Sequence, residues 1–164
     1  MTGEPQPSSA LRVGAMSRSP WAAIVLGAVV AGTLDIGAAA TINWASPALI
    51  LRFVAGGVLG KTALDGGALV ALLGYALQVA MSLIIAAIFV GAARRLAWLR
   101  RRWIAAGLLF GVAVFFVMNY VVMPLSAWAR WPHFTFASFV WNMLSMLVFG
   151  VVIAFFARNP APDH

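Results

Sequence analysis

The stretch WAAIVLGAVVAGTLDIGAAATINW, Trp21–Trp44, is apolar except for one carboxyl group, Asp35, and a few small polar side chains. As a helix rising 1.5 Å per residue it would be roughly 34 Å long, enough to cross the hydrocarbon core of a bilayer with some tilt. A tryptophan at each end suits the headgroup zone. The stretch therefore predicts a transmembrane helix that carries an acid.

The composition of the whole chain also points to a membrane. The 164 residues are 63% hydrophobic and only 9% charged, with a mean hydropathy of +0.97, which is too much apolar surface for one small water-soluble core. The apolar runs are about twenty residues long rather than about ten alternating ones, which favours helices over a closed β-barrel. The predicted fold class is all-α: an integral membrane four-helix bundle with a short interfacial or re-entrant helix between spans 1 and 2.

Charge and cysteine content narrow the choice of partners and chemistry. The net charge is +7, but the basic residues stand at the edges of apolar runs, where anionic lipid and the positive-inside rule account for them, so no nucleic-acid partner is expected. The absence of cysteine excludes disulfides, a thiolate nucleophile, iron–sulfur ligation and cysteine-based zinc sites. The expected partners are the lipid bilayer and other membrane subunits or a second copy of the chain.

Four apolar runs predict one transmembrane domain over 21–158. The predicted spans are about 21–44, 67–92, 103–123 and 136–157. The residues 1–20 are rich in Pro, Ser and Gly and are predicted to form a flexible cytoplasmic tail, with a second cytoplasmic tail at 159–164. Because Arg12 and Arg18 precede an apolar run and small residues, the beginning of the chain also has the pattern of a cleavable signal peptide.

The segment 47–60 is predicted to form the short helix. Ser46 can cap its start and Pro47 can occupy its first turn, and the helix would reach about Val54. Three glycines would then break it, namely Gly56, Gly57 and Gly60. A helix of this length is too short to cross, so it should lie in the interface or dip in and return, as a lid over the bundle.

The distribution of basic residues predicts the orientation. One side of the predicted topology carries eight of them and the other side three, which places both termini in the cytoplasm. The eight are Arg12, Arg18, Arg94, Arg95, Arg100, Arg101, Arg102 and Arg158, and the three are Arg52, Lys61 and Arg130.

Each predicted span places one strongly polar residue at a similar depth. Counted from the nearest cytoplasmic arginine, these residues lie 16 or 17 positions along their helices, roughly 24 to 26 Å in, which is the outer half of the bilayer. They are Asp35, Gln78, Asn119 and Asn142. Each also lies on a helix face rich in small residues, so the faces are expected to point inward and the four residues to form a polar layer.

Asp35 admits two interpretations. An ionisable residue within a span is costly, which makes it a candidate site for binding or moving a proton or cation. Alternatively, hydrogen bonds from Asn119, Asn142 or Gln78 make it a contact that holds helices together. No second acid, Lys, Arg or His lies inside any predicted span, so Asp35 is a poor basis for a proton relay but is adequate for a single titrating site.

The residue patterns for metal binding, hydrolysis and lipid binding are weaker. The methionines of the outer half could form a soft-metal site, but methionine is also a common filler of apolar cores, so no metal is expected. The residue types of a hydrolase are also present, as Ser46 or Ser126 with His133 and Asp65. Their spacing does not support a hydrolase, so no catalytic residue is assigned. The cluster of Arg94, Arg95, Arg100, Arg101 and Arg102 is a candidate for binding acidic lipid headgroups, or a plain topology signal.

Several motifs together resemble a known group of proteins. The motifs are AGTLD, ASPALILRFVAGGVLG, LLGYALQ and MNYVVMPLS, in that order over about Ala31 to Ser126. In this order they resemble small, uncharacterised bacterial inner-membrane proteins with four predicted spans. The resemblance implies a bacterial cytoplasmic membrane and the same four-helix plan, and it implies no activity. In that group a histidine often stands where this chain has Gln78, so Gln78 replaces a group that could titrate or bind metal.

The sequence therefore predicts a non-enzymatic multi-pass membrane protein without cofactors. It would work as an accessory or assembly subunit or as a homo-oligomer, with a polar layer in its core. The alternative is a small proton- or cation-coupled transporter or channel that uses Asp35, with the segment from Pro47 to Gly60 at its outer mouth.

Overall fold

The computed structural model describes residues 20–158, and these residues form helices and connecting turns without any strand. The predicted tails 1–20 and 159–164 lie outside the described residues, except for Pro20, which begins the first helix. An all-helical fold is confirmed for the part of the chain that is described.

Seven α-helical segments follow one another along the chain. In order they are α1 (Pro20–Ile42), α2 (Pro47–Leu59), α3 (Ala68–Arg95), α4 (Ala97–Arg101), α5 (Trp103–Val117), α6 (Met123–Leu125) and α7 (Phe136–Ala157). A 3₁₀ segment, Gly60–Asp65, follows α2, and a π-helical turn, Met118–Val122, joins α5 to α6.

Five helical stretches are long and apolar enough to cross a membrane. Four of them coincide with the apolar runs, and the fifth is Pro47–Asp65, which combines α2 with its 3₁₀ continuation. The segment 47–60 is predicted to be too short to cross the membrane. Its 3₁₀ continuation extends the helical stretch to a spanning length, by length and composition alone. The protein is a helical membrane protein by these criteria.

The three main pairs of long helices, α1 with α3, α1 with α7 and α5 with α7, are antiparallel. Gly32 and Asp35 of α1 lie beside Ser82 and Gln78 of α3, so these two helices run in opposite directions. α7 runs opposite to both α1 and α5, which are its main neighbours. The start of α1, the end of α3, the start of α5 and the end of α7 consequently lie at one end of the bundle, here called the arginine-rich end, and the opposite end is called the loop end.

The contact between α5 and α7 depends on glycine. A Cβ atom built on Gly150 would collide with the carbonyl oxygen of Gly107, and one built on Gly111 would collide with that of Met146. The two backbones are therefore close, as the GxxxG spacing of Gly107 and Gly111 predicts for this face. The core between α1, α3, α5 and α7 is filled mainly by small residues around Phe89, Phe149 and Ile153.

The helix α2 begins as predicted and ends later than predicted. The Ser46 hydroxyl accepts a hydrogen bond from the Leu49 amide, and Pro47 is in the first turn. The prediction that Gly56 and Gly57 break the helix is wrong, since α2 continues to Leu59 and ends at Gly60, whose φ of 72° is left-handed.

Gly56 is instead a packing position on α2. A Cβ atom there would collide with the indole of Trp128, a residue of the loop before α7. The same indole stacks on Phe53 with ring centroids 4.6 Å apart, and its Nε1 donates to the Phe53 carbonyl over 3.0 Å. Trp128 therefore fixes α2 to the loop end of the bundle.

The third apolar run, predicted to span about 103–123 and so to stop before Pro124, continues as helix through that proline. Proline inside an α-helix clashes with the carbonyl four residues earlier and removes one hydrogen bond. Here the π-turn precedes the proline, with the Met123 amide bonded to the Met118 carbonyl, and the helix ends only at Leu125. The wider turn gives the proline ring room within a continuing helix.

Candidate functional site

The candidate site is centred on the carboxyl group of Asp35 in α1. Its Oδ2 accepts a hydrogen bond from the Gln78 side-chain amide of α3 over 3.1 Å, and its Oδ1 accepts one from the Ser145 hydroxyl of α7 over 3.1 Å. Three helices that are far apart in sequence are thus joined at one carboxyl group. Each oxygen has a donor, as a polar group inside a membrane bundle requires.

Small residues on α1 create the close approach that this geometry needs. Gly32, one turn before Asp35, is buried against Ser82, and a Cβ atom on Gly32 would lie 2.7 Å from the Ser82 hydroxyl oxygen. Gln78 is 8% exposed and Ser82 is 1% exposed, so this side of the site is closed. A side chain at position 32 would force the Ser82 hydroxyl to rotate away, so glycine lets α1 and α3 approach closely beside the Gln78 amide.

Two spaces border Asp35. On one side is a cleft of about 340 Å³ between α1 and α7, lined by residues from Ala31 to Ile42 and from Trp141 to Phe149. On the other side is a cavity of about 20 Å³ in the bundle core, next to Gln78, Ser82, Met118 and Met146. That cavity is about large enough for one water molecule. Asp35 itself is partly buried and forms part of the wall between the two spaces.

The structure brings together only two of the four residues expected in the polar layer. The Asn119 amide, within the π-turn, donates to the Phe115 carbonyl of α5 over 2.9 Å. The Asn142 amide donates to the Ser138 carbonyl over 2.8 Å and to its hydroxyl over 3.3 Å. Of the three residues expected to hydrogen-bond Asp35, namely Asn119, Asn142 or Gln78, it is Gln78 that does so. Both asparagines instead donate to backbone carbonyls one turn earlier.

Ser145 is the site residue that the sequence analysis did not select. It lies three positions after Asn142 on the same helix face, within the predicted inward face of α7. The periodicity of that face includes Ser145, but a serine is a weaker indication of a polar site than an asparagine. The Ser145 hydroxyl, about one turn nearer the arginine-rich end than Asn142, therefore donates the hydrogen bond to Asp35 that was expected from the Asn142 amide.

The residue types of a hydrolase are held in local structure and do not form a cluster. The Ser46 hydroxyl caps α2, and the Ser126 hydroxyl donates to the Met123 carbonyl over 2.7 Å. His133 is exposed, with its Nδ1 2.9 Å from the Trp131 carbonyl oxygen, and Asp65 is exposed. Among residues 20–158 there is also no group of three or more His, Cys, Asp or Glu side chains that could hold a metal ion.

The arginine cluster lies on the short connection between α3 and α5. Arg94 and Arg95 are in the last turn of α3, Arg100 and Arg101 are in α4, and Arg102 precedes α5. All except Arg100 are exposed, and Arg100 is partly buried. This places five positive charges together at the arginine-rich end.

The helical fold and the partly buried carboxyl contact define an all-helical membrane protein with one acid bonded between three helices. Comparison with protein family models, with curated proteins and with solved structures gives no match for this chain. The class therefore follows from the fold and composition alone.

Proposed function

We propose that the chain is a non-enzymatic subunit of a larger assembly in the bacterial cytoplasmic membrane. In this proposal the cleft between α1 and α7 receives a helix of a partner subunit or of a second copy. That helix would present a hydrogen-bond donor or a cation toward Asp35. The carrying observation is that Asp35, a residue that is only partly buried, lines this cleft.

The physical reason is the cost of a carboxyl group next to lipid. The cleft is walled mostly by apolar side chains, including the exposed Leu34 and Val148, and Asp35 contributes the carboxyl group of the wall. Ionisable groups at membrane depth normally face the protein interior or a polar partner. The bonds from Gln78 and Ser145 satisfy one lone pair on each oxygen, and a helix that covers the cleft would shield the rest.

A topology of four spans belongs to the same proposal. Since α1 and α3 are antiparallel, the segment between them starts and finishes at the loop end of the bundle. An additional full crossing by α2 would end at the opposite face, so we place α2 as a re-entrant or interfacial helix held by Trp128. Its turn at Gly60 and the charged Lys61 and Asp65 favour this placement.

The orientation follows from the charges at the two ends. In the described residues the arginine-rich end carries the five arginines of the cluster and Arg158, against Arg52, Lys61 and Arg130 toward the loop end. Under the positive-inside rule this end is cytoplasmic, and with four spans both termini are cytoplasmic too. The bacterial membrane is an implication of the family resemblance.

A cleft variant tests the proposal. Val148 is 55% exposed and lines the cleft, so Val148→Trp should fill the cleft without disturbing the core. We expect the tagged wild-type chain, extracted from native membranes in mild detergent, to migrate as a complex whose mass exceeds that of the monomer. We expect Val148→Trp to migrate as a monomer, because the partner helix can no longer enter.

The matched control is Ile104→Trp, at a position of α5 that is 53% exposed and outside the cleft lining. It should preserve the complex, and mass spectrometry of the complex identifies the partner. Recovery of the wild-type chain as a lone monomer, or an intact complex with Val148→Trp, would contradict the proposal.

The contact of Asp35 with two spaces favours a second candidate, a small proton- or cation-coupled transporter or channel. Asp35 lines both the core cavity and the open cleft, so a proton or ion held by its carboxyl group would face the cleft on one side and the core on the other. In proteoliposomes with an imposed proton or cation gradient, this candidate predicts that wild type shows flux and that folded Asp35→Asn shows none. Thr33→Val, on the exposed face of α1, is the control. Equal flux in wild type and Asp35→Asn would exclude this candidate.

A further inference from the structure

A long apolar groove runs along the surface between α3 and α5. The part nearer the loop end has a volume of about 370 Å³. It is lined on α3 by Met81 to Ile88 and on the other wall by Phe110 to Val122. A second depression of about 250 Å³ shares Ile88 and Phe110 with the first and continues to Trp98 and Leu99. The two form one groove that ends beneath the arginine cluster.

The groove is long enough for an acyl chain of one leaflet. It follows α3 from Met81 to Ala92 for about 16 Å, and its opposite wall runs from Ala106 to Val122 for about 24 Å, against about 15 Å for half of a 30 Å hydrocarbon core. All of its lining side chains are apolar, apart from the indole N–H of Trp98 at the end. Tryptophan at this level suits the headgroup zone.

Charge at the end of the groove completes the site. Arg95, Arg101 and Arg102 are exposed on the connection that also carries Trp98 and Leu99. A phosphate group at the end of an acyl chain in the groove would therefore meet several guanidinium groups, which bind phosphate in bidentate geometry.

We infer that this groove and the arginine cluster together bind one anionic phospholipid, with an acyl chain along α3 and α5 and the phosphate at the arginines. The walls favour lipid over a partner helix. Close helix contacts in membranes use small residues, as at Gly107, Gly111 and Gly150, whereas this groove is lined mainly by Met, Ile, Val and Phe. Asp35 does not line this groove, although Met81, Ile85, Val114 and Met118 lie between the groove and the small cavity next to Asp35. The inference does not depend on the proposed function.

Spin-labelled lipids measure this binding directly. The full-length chain is reconstituted in phosphatidylcholine bilayers. A trace of spin-labelled lipid is added, either phosphatidylglycerol or phosphatidylcholine, with the label near the end of one acyl chain. Electron paramagnetic resonance then gives the fraction of the labelled lipid whose motion the protein restricts. We expect phosphatidylglycerol to be preferred. The variant Arg101→Gln/Arg102→Gln should lower its relative association constant by up to about fivefold for each arginine removed.

Groove variants separate a seated lipid from general attraction to charge. Ala113→Phe and Ile84→Trp introduce large side chains at exposed positions of the groove wall, and both should reduce the preference for phosphatidylglycerol. Ala105→Phe, exposed on the same helix but outside the groove lining, and Arg130→Gln, toward the loop end, should leave it unchanged.

Three results would overturn the inference. The first is equal association of the two labelled lipids with the wild-type chain. The second is a preference that the arginine substitutions remove but the groove variants do not, which would assign it to surface charge alone. The third is a change of oligomeric mass in the groove variants, which would assign the groove to a protein helix.

Discussion

Replacement of Asp35 by leucine is expected to lower the free energy of unfolding by about 1–3 kcal/mol. The substitution removes the acceptor of both interhelical hydrogen bonds and leaves the Gln78 amide, which is buried, and the Ser145 hydroxyl without their partners. A polar group left unpaired in an apolar bundle costs more than the bond itself contributes. Reversible unfolding of the purified chain in mixed micelles of mild detergent and dodecyl sulfate gives the measurement.

Two variants of α1 make the interpretation specific. Asp35→Asn keeps an oxygen acceptor and adds an amide donor, so it should remain within about 1 kcal/mol of wild type. Thr33→Val removes a hydroxyl that bonds only to the Val29 carbonyl of its own helix, so it should change little. If Asp35→Leu unfolds at the same denaturant fraction as wild type, the carboxyl group does not hold α1, α3 and α7 together.

The second large effect is expected at Gly150, where Gly150→Val should destabilise the bundle by about 3 kcal/mol. The new side chain would meet the Gly107 carbonyl and lie about where the Gly111 backbone now packs, and backbone atoms cannot rotate away as a flexible side chain can. α5 and α7 must then separate along the most extensive helix contact of the structure. The same micellar unfolding experiment measures the loss.

Gly91→Val is the matched control for Gly150→Val. Gly91 lies in α3 with open space around the position of a Cβ atom, so the change in intrinsic helix propensity is the same while the collision is absent. We expect Gly91→Val to be close to wild type or slightly more stable. Similar losses for the two variants would mean that backbone contact between α5 and α7 does not contribute to stability.

The sequence predicts the helices well because length and apolar composition determine them. The four apolar runs coincide with helices, and Ser46 with Pro47 marks the start of α2. It predicts less well where a tertiary contact overrides a local rule. Gly56 reads as a break but serves as the place where the Trp128 indole lies, and Pro124 reads as a stop but follows a π-turn.

The site is predicted in part for a related reason. Counting residues gives the depth of a side chain along a helix, but not its direction around the helix axis. Small-residue faces fix that direction for Asp35 and Gln78, which meet. Asn119 and Asn142 have the right depth, yet each can bond to a carbonyl of its own helix, an option that residue spacing between helices does not reveal.

The π-turn at Met118–Val122 also has a consequence for how the chain tolerates insertions and deletions. A π-turn holds more residues per turn than an α-turn, so loss of one residue there would let the helix become regular. Because the wider turn holds the extra residue within about one turn, such a loss would leave the following residues on nearly the same faces of the helix. Loss of one residue from the regular part of α5 would instead rotate everything after it by about 100° and take Trp128 away from the surface of α2. The π-turn is therefore the place in this helix where the chain can lose a residue and still keep the following loop on the same side of the bundle.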